Sequence, residues 1–186
     1  MVLRILAVVL GVAMVAQAAA DTLDVNLHGD ALRATYSRPV GATRGLDMDV
    51  GLLHVEENGY DANVIHAGLQ VAGMNWSKQG NFNISLGGRA VFADVEEFEG
   101  GHVAFGGSVR FSPMPRVGFG GSLYYAPNIT SFLDAEEYTE WGLFADYQLL
   151  TQAYVYVGYR NVEVDAENGG SAELDDHVHI GMRMNF

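Results

Sequence analysis

The segment HVHIGMRMNF, residues 177–186, alternates strictly between two kinds of side chain. One set is apolar and comprises Val178, Ile180, Met182, Met184 and Phe186. The other set is polar or small and comprises His177, His179, Gly181, Arg183 and Asn185. Because successive side chains of a β-strand point to opposite faces, a period of two residues predicts a strand with one apolar and one polar face.

The same alternation recurs along the rest of the chain between Gly, Asn-Gly and Pro punctuation, and it is weaker in the N-terminal third. It covers residues 23–27, 32–36, 46–52, 65–71, 82–92, 102–111, 117–126, 141–149 and 153–164. No segment after residue 20 has helical periodicity. Short, regularly spaced strands indicate an all-β protein. We predict about ten strands, or eight if the first hairpin is short or displaced.

The residue types on the polar face distinguish a membrane barrel from a soluble β-sandwich. It is built from Gly, Ser, Asn, His, Arg and Asp, which suit a narrow lumen better than a water-facing surface. Aromatic side chains gather near the strand ends, as two interfacial girdles require: Tyr36, Phe82, Phe92, Phe111, Tyr125, Trp141 and Tyr147. The prediction is an antiparallel up-and-down transmembrane β-barrel.

The connections between these strands alternate in length and charge. Residues 39–45, 75–80, 112–116 and 150–152 form short turns that carry Arg44, Lys78 and Arg116 but no acid. Residues 56–61, 94–101, 127–137 and 165–176 are mostly longer and hold many carboxylates without any Lys or Arg. Short turns at one end and longer loops at the other are typical of outer-membrane barrels.

The N-terminus has the three regions of a secretory signal peptide. Arg4 precedes an apolar run from Ile5 to Val15, which a small-residue segment ending at Ala20 follows. Such a run is about 16 Å long as a helix, roughly half of a ~30 Å hydrocarbon core. We expect residues 1–20 to be a signal peptide and residues 21–186 to form the barrel.

Composition excludes several functional classes. The formal net charge is −13 and Lys78 is the single lysine, which argues against nucleic acid as a partner. The chain has no cysteine, so disulfides, thiol catalysis and Cys-type zinc sites are absent.

Several motifs point to a known family. They are GGSLYYAP at 120–127, AEEY at 135–138, YVGYR at 156–160 and the terminal segment 177–186. Together they resemble the YfaZ family of bacterial outer-membrane proteins. The resemblance implies a Gram-negative outer-membrane barrel, inserted by the barrel-assembly machinery that recognises a last strand ending in an aromatic residue such as Phe186. The family has no assigned activity, so the resemblance implies no catalytic residues for this chain.

The alternation also predicts which charges face the lumen. The cations are Arg33, Arg89, Arg110, Arg160 and Arg183, and the anions are Asp24, Asp47, Asp49 and Asp146. A barrel of this size has little room beyond its side chains, so paired charges would plug it. Since the first and last strands must pair, Asp24 and Arg183 are the strongest predicted ion pair. The alternative is a narrow porin-like channel for small solutes.

The histidines and outer acids raise further hypotheses. Strand closure would bring His28 to His177 and His179, near Asp30, Asp175 and Asp176, residue types that suit Zn²⁺ or Ni²⁺. His177 with Asp175 or Asp176 also offers the residue types of an omptin-like hydrolase, without a recognisable motif. Acidic outer loops would bind divalent cations that bridge lipopolysaccharide phosphates. We assign no catalytic, cofactor or metal residue, and we expect a non-enzymatic structural or interaction barrel in outer-membrane lipid and lipopolysaccharide.

Overall fold

The computed structural model describes residues 21–41, 45–57, 60–77, 80–95, 98–133, 135–166 and 171–186. The predicted signal peptide, residues 1–20, lies outside the described residues. So do the connection residues Arg44, Lys78, Glu96, Glu97, Asp134 and Glu167. No helix in the described ranges is long and apolar enough to cross a membrane. The helical turn that these ranges contain is the short 3-10 segment Asn128–Thr130.

The described chain consists almost entirely of β-strands. They are β1 (Thr22–His28), β2 (Ala31–Pro39), β3 (Leu46–Glu57), β4 (Tyr60–Ser77), β5 (Gly80–Val95), β6 (Phe98–Met114), β7 (Val117–Ala126), β8 (Ser131–Leu133), β9 (Ala135–Leu150), β10 (Ala153–Ala166) and β11 (Ser171–Asn185).

These strands close into an antiparallel barrel. Each pairs with its chain neighbour, except that the short β8 pairs with the outer part of β6 while β7 pairs with β9. β1 pairs with β11, and the amides of Asp21 and Phe186 each donate to the other's carbonyl at 2.8 Å, which completes the seam. Apart from β8, ten strands of the described ranges form the wall, so the prediction of about ten strands is confirmed and the alternative of eight is not.

The predicted alternation of faces also holds. Leu86, Ile180 and Val178 are 67%, 68% and 64% exposed on the outer surface of the wall. Polar residues on the opposite, lumen-facing side of the wall are buried, among them Asn26, Asp49 and His179. The outer surface of the wall exposes large apolar side chains, and the lumen buries polar ones. Such a wall is suited to a bilayer, because its apolar surface would contact lipid.

The strands continue farther at one end than the sequence predicted. We call this the outer end; it carries the connections after β3, β5 and β10, whereas Asp21 and Phe186 lie at the opposite, inner end. Residues predicted as outer loop, among them Glu56, Asp94, Glu99 and Glu137, lie within paired strands. The outer connections are therefore shorter than predicted. The strands continue because their inward side chains bury apolar surface against one another.

That apolar surface fills the outer half of the lumen. Its buried members are Ala31, Leu53, Val55, Ala62, Val64, Val91, Ala93, Val95, Ala104, Tyr124, Ala126, Tyr138, Val162, Val164 and Leu174. The set draws on strands from all sides of the barrel, so it forms one continuous cluster across the lumen. We call it the outer core. It was not predicted from the sequence, because Val95 and Leu174 fell in predicted outer loops and the other members are distributed over separate strands.

Candidate functional site: the barrel lumen

The five predicted lumen arginines all contact carboxylates inside the barrel. They are Arg33 on β2, Arg89 on β5, Arg110 on β6, Arg160 on β10 and Arg183 on β11. Each sits at an alternate position of its strand with a small or polar inward neighbour, which leaves room for a long side chain.

The predicted seam pair forms. Nε of Arg183 donates to Oδ2 of Asp24 at 2.9 Å, and the two residues are directly opposed in the β1–β11 register. The Tyr156 hydroxyl donates to the other oxygen of Asp24 at 2.5 Å. The first and last strands are therefore joined by a charged side-chain contact as well as by backbone hydrogen bonds.

A second group of charges crosses the middle of the lumen beneath the outer core. Glu140 accepts hydrogen bonds from Arg33 at 2.7 Å and from the Tyr138 hydroxyl at 2.6 Å, and it lies 3.7 Å from Arg89. Arg89 in turn lies 3.1 Å from Asp49. We call this set, with Asp49, the middle layer. It links β2, β3, β5 and β9 across the barrel.

Further contacts complete the middle layer. His66 Nε2 lies 3.1 Å from Asp49, and the Gln70 amide donates to the same carboxylate at 2.5 Å. The Arg89 guanidinium stacks 3.7 Å above the Tyr124 ring. Because Asp49 and Glu140 are 2% and 6% exposed, their charges depend on these partners for stabilisation.

Towards the inner end, Arg110 and Asp146 form a bidentate pair. Nε and Nη2 of Arg110 donate to the two Asp146 oxygens, each at 2.6 Å, and Nη1 donates to Ser112 at 2.6 Å. Two parallel charge-assisted bonds fix both side chains. Asp47, the remaining predicted lumen anion, lines the cavity described below.

Near the outer end, Arg160 holds Asp175. Nε and Nη2 of Arg160 lie 2.7 and 2.5 Å from Asp175 Oδ2. Oδ1 of Asp175 faces two imidazoles: it is 3.1 Å from His28 Nε2 and 3.6 Å from His177 Nδ1. The two rings stack with centroids 4.4 Å apart. The predicted meeting of His28 with His177 is confirmed.

Other members of the predicted histidine cluster lie elsewhere. His179 packs edge-on against Tyr156, with ring centroids 5.8 Å apart. Asp176 accepts a hydrogen bond from the Tyr159 hydroxyl on the other face of the sheet. Asp30 is exposed in the β1–β2 turn. The residues brought together are thus His28, Asp175 and His177, whose ligand atoms lie within 4.8 Å of one another.

Two lumen carboxylates, Glu140 and Asp175, were not among the residues predicted to face the lumen. Glu140 shares its inward parity with Gly142 and Asp146, so extending the β9 alternation by one step would have found it. Asp175 was assigned to a loop, although it shares the parity of His177 and Arg183. Both omissions follow from ending the strands too early at the outer end.

A cavity of about 490 Å³ occupies the lumen between the inner end and the middle layer. Its lining includes Thr22, Ser37, Asp47 and Asn83 near the inner end and Arg33, Arg89 and Glu140 at its upper limit. Tyr124 is the one outer-core residue in that lining. The lumen is thus hollow and polar in its inner half and filled with side chains in its outer half.

The chain is similar to a known protein family and, at low sequence identity, to solved outer-membrane proteins. The family model described as "YfaZ precursor" matches residues 4–186. No curated protein matches the chain. The solved structures that resemble it include the outer membrane channel DcaP of Acinetobacter baumannii, with 12% identity and a TM-score of 0.43. That alignment covers 88% of this chain and 54% of DcaP, so the chain spans about half of the length of that relative.

Two further solved structures are similar at the same low level. OmpT, an outer membrane protein of Vibrio cholerae, has 14% identity and a TM-score of 0.38, and the alignment covers 89% of this chain and 64% of that one. The NanC porin has 11% identity and a TM-score of 0.37, and the alignment covers 90% of this chain and 98% of that one.

Proposed function

The chain belongs to the YfaZ family, and from this premise and the geometry of the lumen we propose that it is a sealed, non-conducting barrel of the Gram-negative outer membrane. Its role in that membrane is structural or interactive, and it is not an enzyme. The seal consists of the charged middle layer together with the outer core.

The observation that carries this proposal is the continuity of buried side chains across the lumen. Val162 on β10 and Ala93 on β5 are fully buried although their strands are nearly opposite in the barrel, and Tyr124 and Tyr138 on the strands between them are each 1% exposed. Apolar side chains buried to this extent leave no continuous polar path for water through the outer core. An ion crossing the outer core would lose its hydration without gaining ligands, which costs several kcal/mol or more.

The balance of positive and negative charges in the middle layer supports the same proposal. Arg33 and Arg89 are neutralised by Glu140 and Asp49 within hydrogen-bonding or ion-pair distance. A conducting lumen would need unpaired charges or polar groups aligned along a water-filled path. Here the cations are held by carboxylates of non-adjacent strands, so the ion pairs span the lumen and brace the wall.

Single-channel recording in planar bilayers tests the proposal. The protein, purified in detergent from outer membranes, should insert and give no stepwise current in either polarity. Insertion is verified by the slower migration of boiled compared with unboiled protein and by protease resistance. Steady, ion-selective steps from the unmodified protein would overturn the sealed barrel and favour the narrow porin-like channel.

A matched pair of variants tests whether the absence of current is caused by the seal. Tyr124→Ala combined with Tyr138→Ala removes two large side chains from the outer core, and we expect small but measurable current. Tyr125→Ala removes the same group from the lipid face one position away, where the side chain is 40% exposed, and it should remain silent.

The remaining partner assignments stay predictions. They are contacts with lipopolysaccharide, divalent cations at the acidic outer ends, and recognition of Phe186 by the barrel-assembly machinery. The acids involved, such as Glu99 and Glu173, lie on outer strand ends.

A further inference from the structure

We infer that His28, Asp175 and His177 form a binding site for one transition-metal ion of the Zn²⁺ class at the outer end of the seam between β1 and β11. The site is separate from the proposed seal. It would tie the first strand to the last.

The distances between the three ligand atoms suit tetrahedral zinc. Bonds of about 2.0–2.1 Å to nitrogen and oxygen place neighbouring tetrahedral ligands about 3.3 Å apart. Asp175 Oδ1 lies 3.1 Å from His28 Nε2 and 3.6 Å from His177 Nδ1, which brackets that value. All three ligand atoms lie within 4.8 Å of one another. Small side-chain rotations would bring them to a common ion, with water as the fourth ligand.

The Asp175 carboxylate is already oriented to bind a metal ion together with the two imidazoles. Arg160 engages Oδ2 of Asp175 through both Nε and Nη2, which leaves Oδ1 directed at the imidazoles. Arg160 is fixed in turn because its Nη1 donates to Asn26 at 2.9 Å. Ligating carboxylates in metal sites commonly have such a partner on their free oxygen. Arg160 is therefore a positioning residue.

The site is anchored on one side and accessible on the other. The Asp175 side chain is fully buried and that of His28 is 10% exposed, whereas the His177 side chain is 46% exposed. An ion would enter past His177. Because His28 belongs to β1 and the other two ligands belong to β11, a bound ion would cross-link the seam that closes the barrel.

Calorimetric titration of ZnCl₂ into the detergent-purified, chelator-treated protein tests the inference. We expect one Zn²⁺ per chain. His28→Ala and His177→Ala should each weaken binding by at least about tenfold, since losing a ligand costs no less than losing an outer-shell partner. CaCl₂ should not compete, because calcium prefers oxygen ligands.

The matched control is His179→Ala. His179 is an inward histidine of the same strand, two positions from His177, but it packs on Tyr156. Zn²⁺ binding should be unchanged in this variant. A loss of affinity equal to that of His177→Ala would overturn the assignment of ligands, and so would competition by CaCl₂.

A second readout uses unfolding. Since Zn²⁺ binds the folded seam, it should raise the urea midpoint of the unmodified protein and leave that of His177→Ala unchanged. His177 is half-exposed, so its removal tests the site even if His28→Ala does not fold. Absence of Zn²⁺ binding to the folded protein, or binding by both His→Ala variants as tight as that of the unmodified protein, would overturn the inference.

Discussion

Asp24 and Arg183 face one another across the closing seam of the barrel, with Arg183 Nε donating to Asp24 Oδ2 at 2.9 Å. They are separated by nearly the whole described chain, yet they are directly opposed in register. Both side chains are largely shielded, at 18% and 26% exposure, so solvent screening of the pair is incomplete.

A double-mutant cycle should show this contact as an energetic coupling. We expect Asp24→Asn and Arg183→Gln to be coupled by about 1–2 kcal/mol in the free energy of unfolding, because removing either partner leaves the other charge partly desolvated. Urea unfolding in lipid vesicles measures it. The control cycle pairs Asp24→Asn with Arg116→Gln, in the turn after β6 on the far side of the barrel, and should give coupling near zero. Equal coupling in both cycles would contradict a specific pair.

Glu140 should be the most sensitive carboxylate in the lumen. Glu140→Gln removes the negative charge that Arg33 and Arg89 share, so two buried guanidinium groups lose a counter-charge. We expect a loss of about 3–5 kcal/mol in the free energy of unfolding. Glu173→Gln, an exposed acid at the outer end of β11, is the matched control and should change stability by less than about 0.5 kcal/mol. Similar effects at both positions would argue against the middle layer.

Gly106 permits a close approach between neighbouring strands. A Cβ at this position would overlap the Leu123 carbonyl oxygen, which is backbone and cannot rotate away. Gly106→Ala should therefore destabilise the barrel by about 1–3 kcal/mol through overpacking. At Gly73 a Cβ would meet open space, so Gly73→Ala is the control and should be close to neutral. The two variants are compared by their midpoints of urea unfolding. An unchanged midpoint for Gly106→Ala would contradict the close approach of the two strands at Gly106.

Leu86 tests the lipid face. It lies midway along β5 and is 67% exposed, so Leu86→Arg would place a charge in the hydrocarbon region. We expect a loss of about 2–4 kcal/mol in the free energy of unfolding from lipid vesicles. Ile129→Arg, on the 3-10 turn at the outer end, is also a change of an exposed apolar residue and should be nearly neutral. An equally neutral Leu86→Arg would place this face in water.

The sequence by itself determined the fold class and the identity of the inward arginines, and it limited the strand count to about ten or eight. These depend on the two-residue period of the backbone, which is local and can be read within one strand, as in Val178 to Phe186. The pair of Asp24 and Arg183 also followed, because closure forces the first and last strands together.

Only the tertiary structure decided which carboxylate each of the other arginines meets. Arg33 and Glu140 are 107 residues apart, and their contact depends on how far the strands stagger around the closed barrel. An irregularity in the β10–β11 register between Val162 and Glu163 leaves Leu174 buried next to the buried Asp175, and strict alternation predicts an inward Asp175 but not an inward Leu174. The outer core likewise requires strand ends to pair beyond the predicted limits, because burial across the lumen is a property of the assembled wall. Strand closure predicted that His28 meets His177 near Asp175, but only the structure separated His179, Asp30 and Asp176 from that cluster.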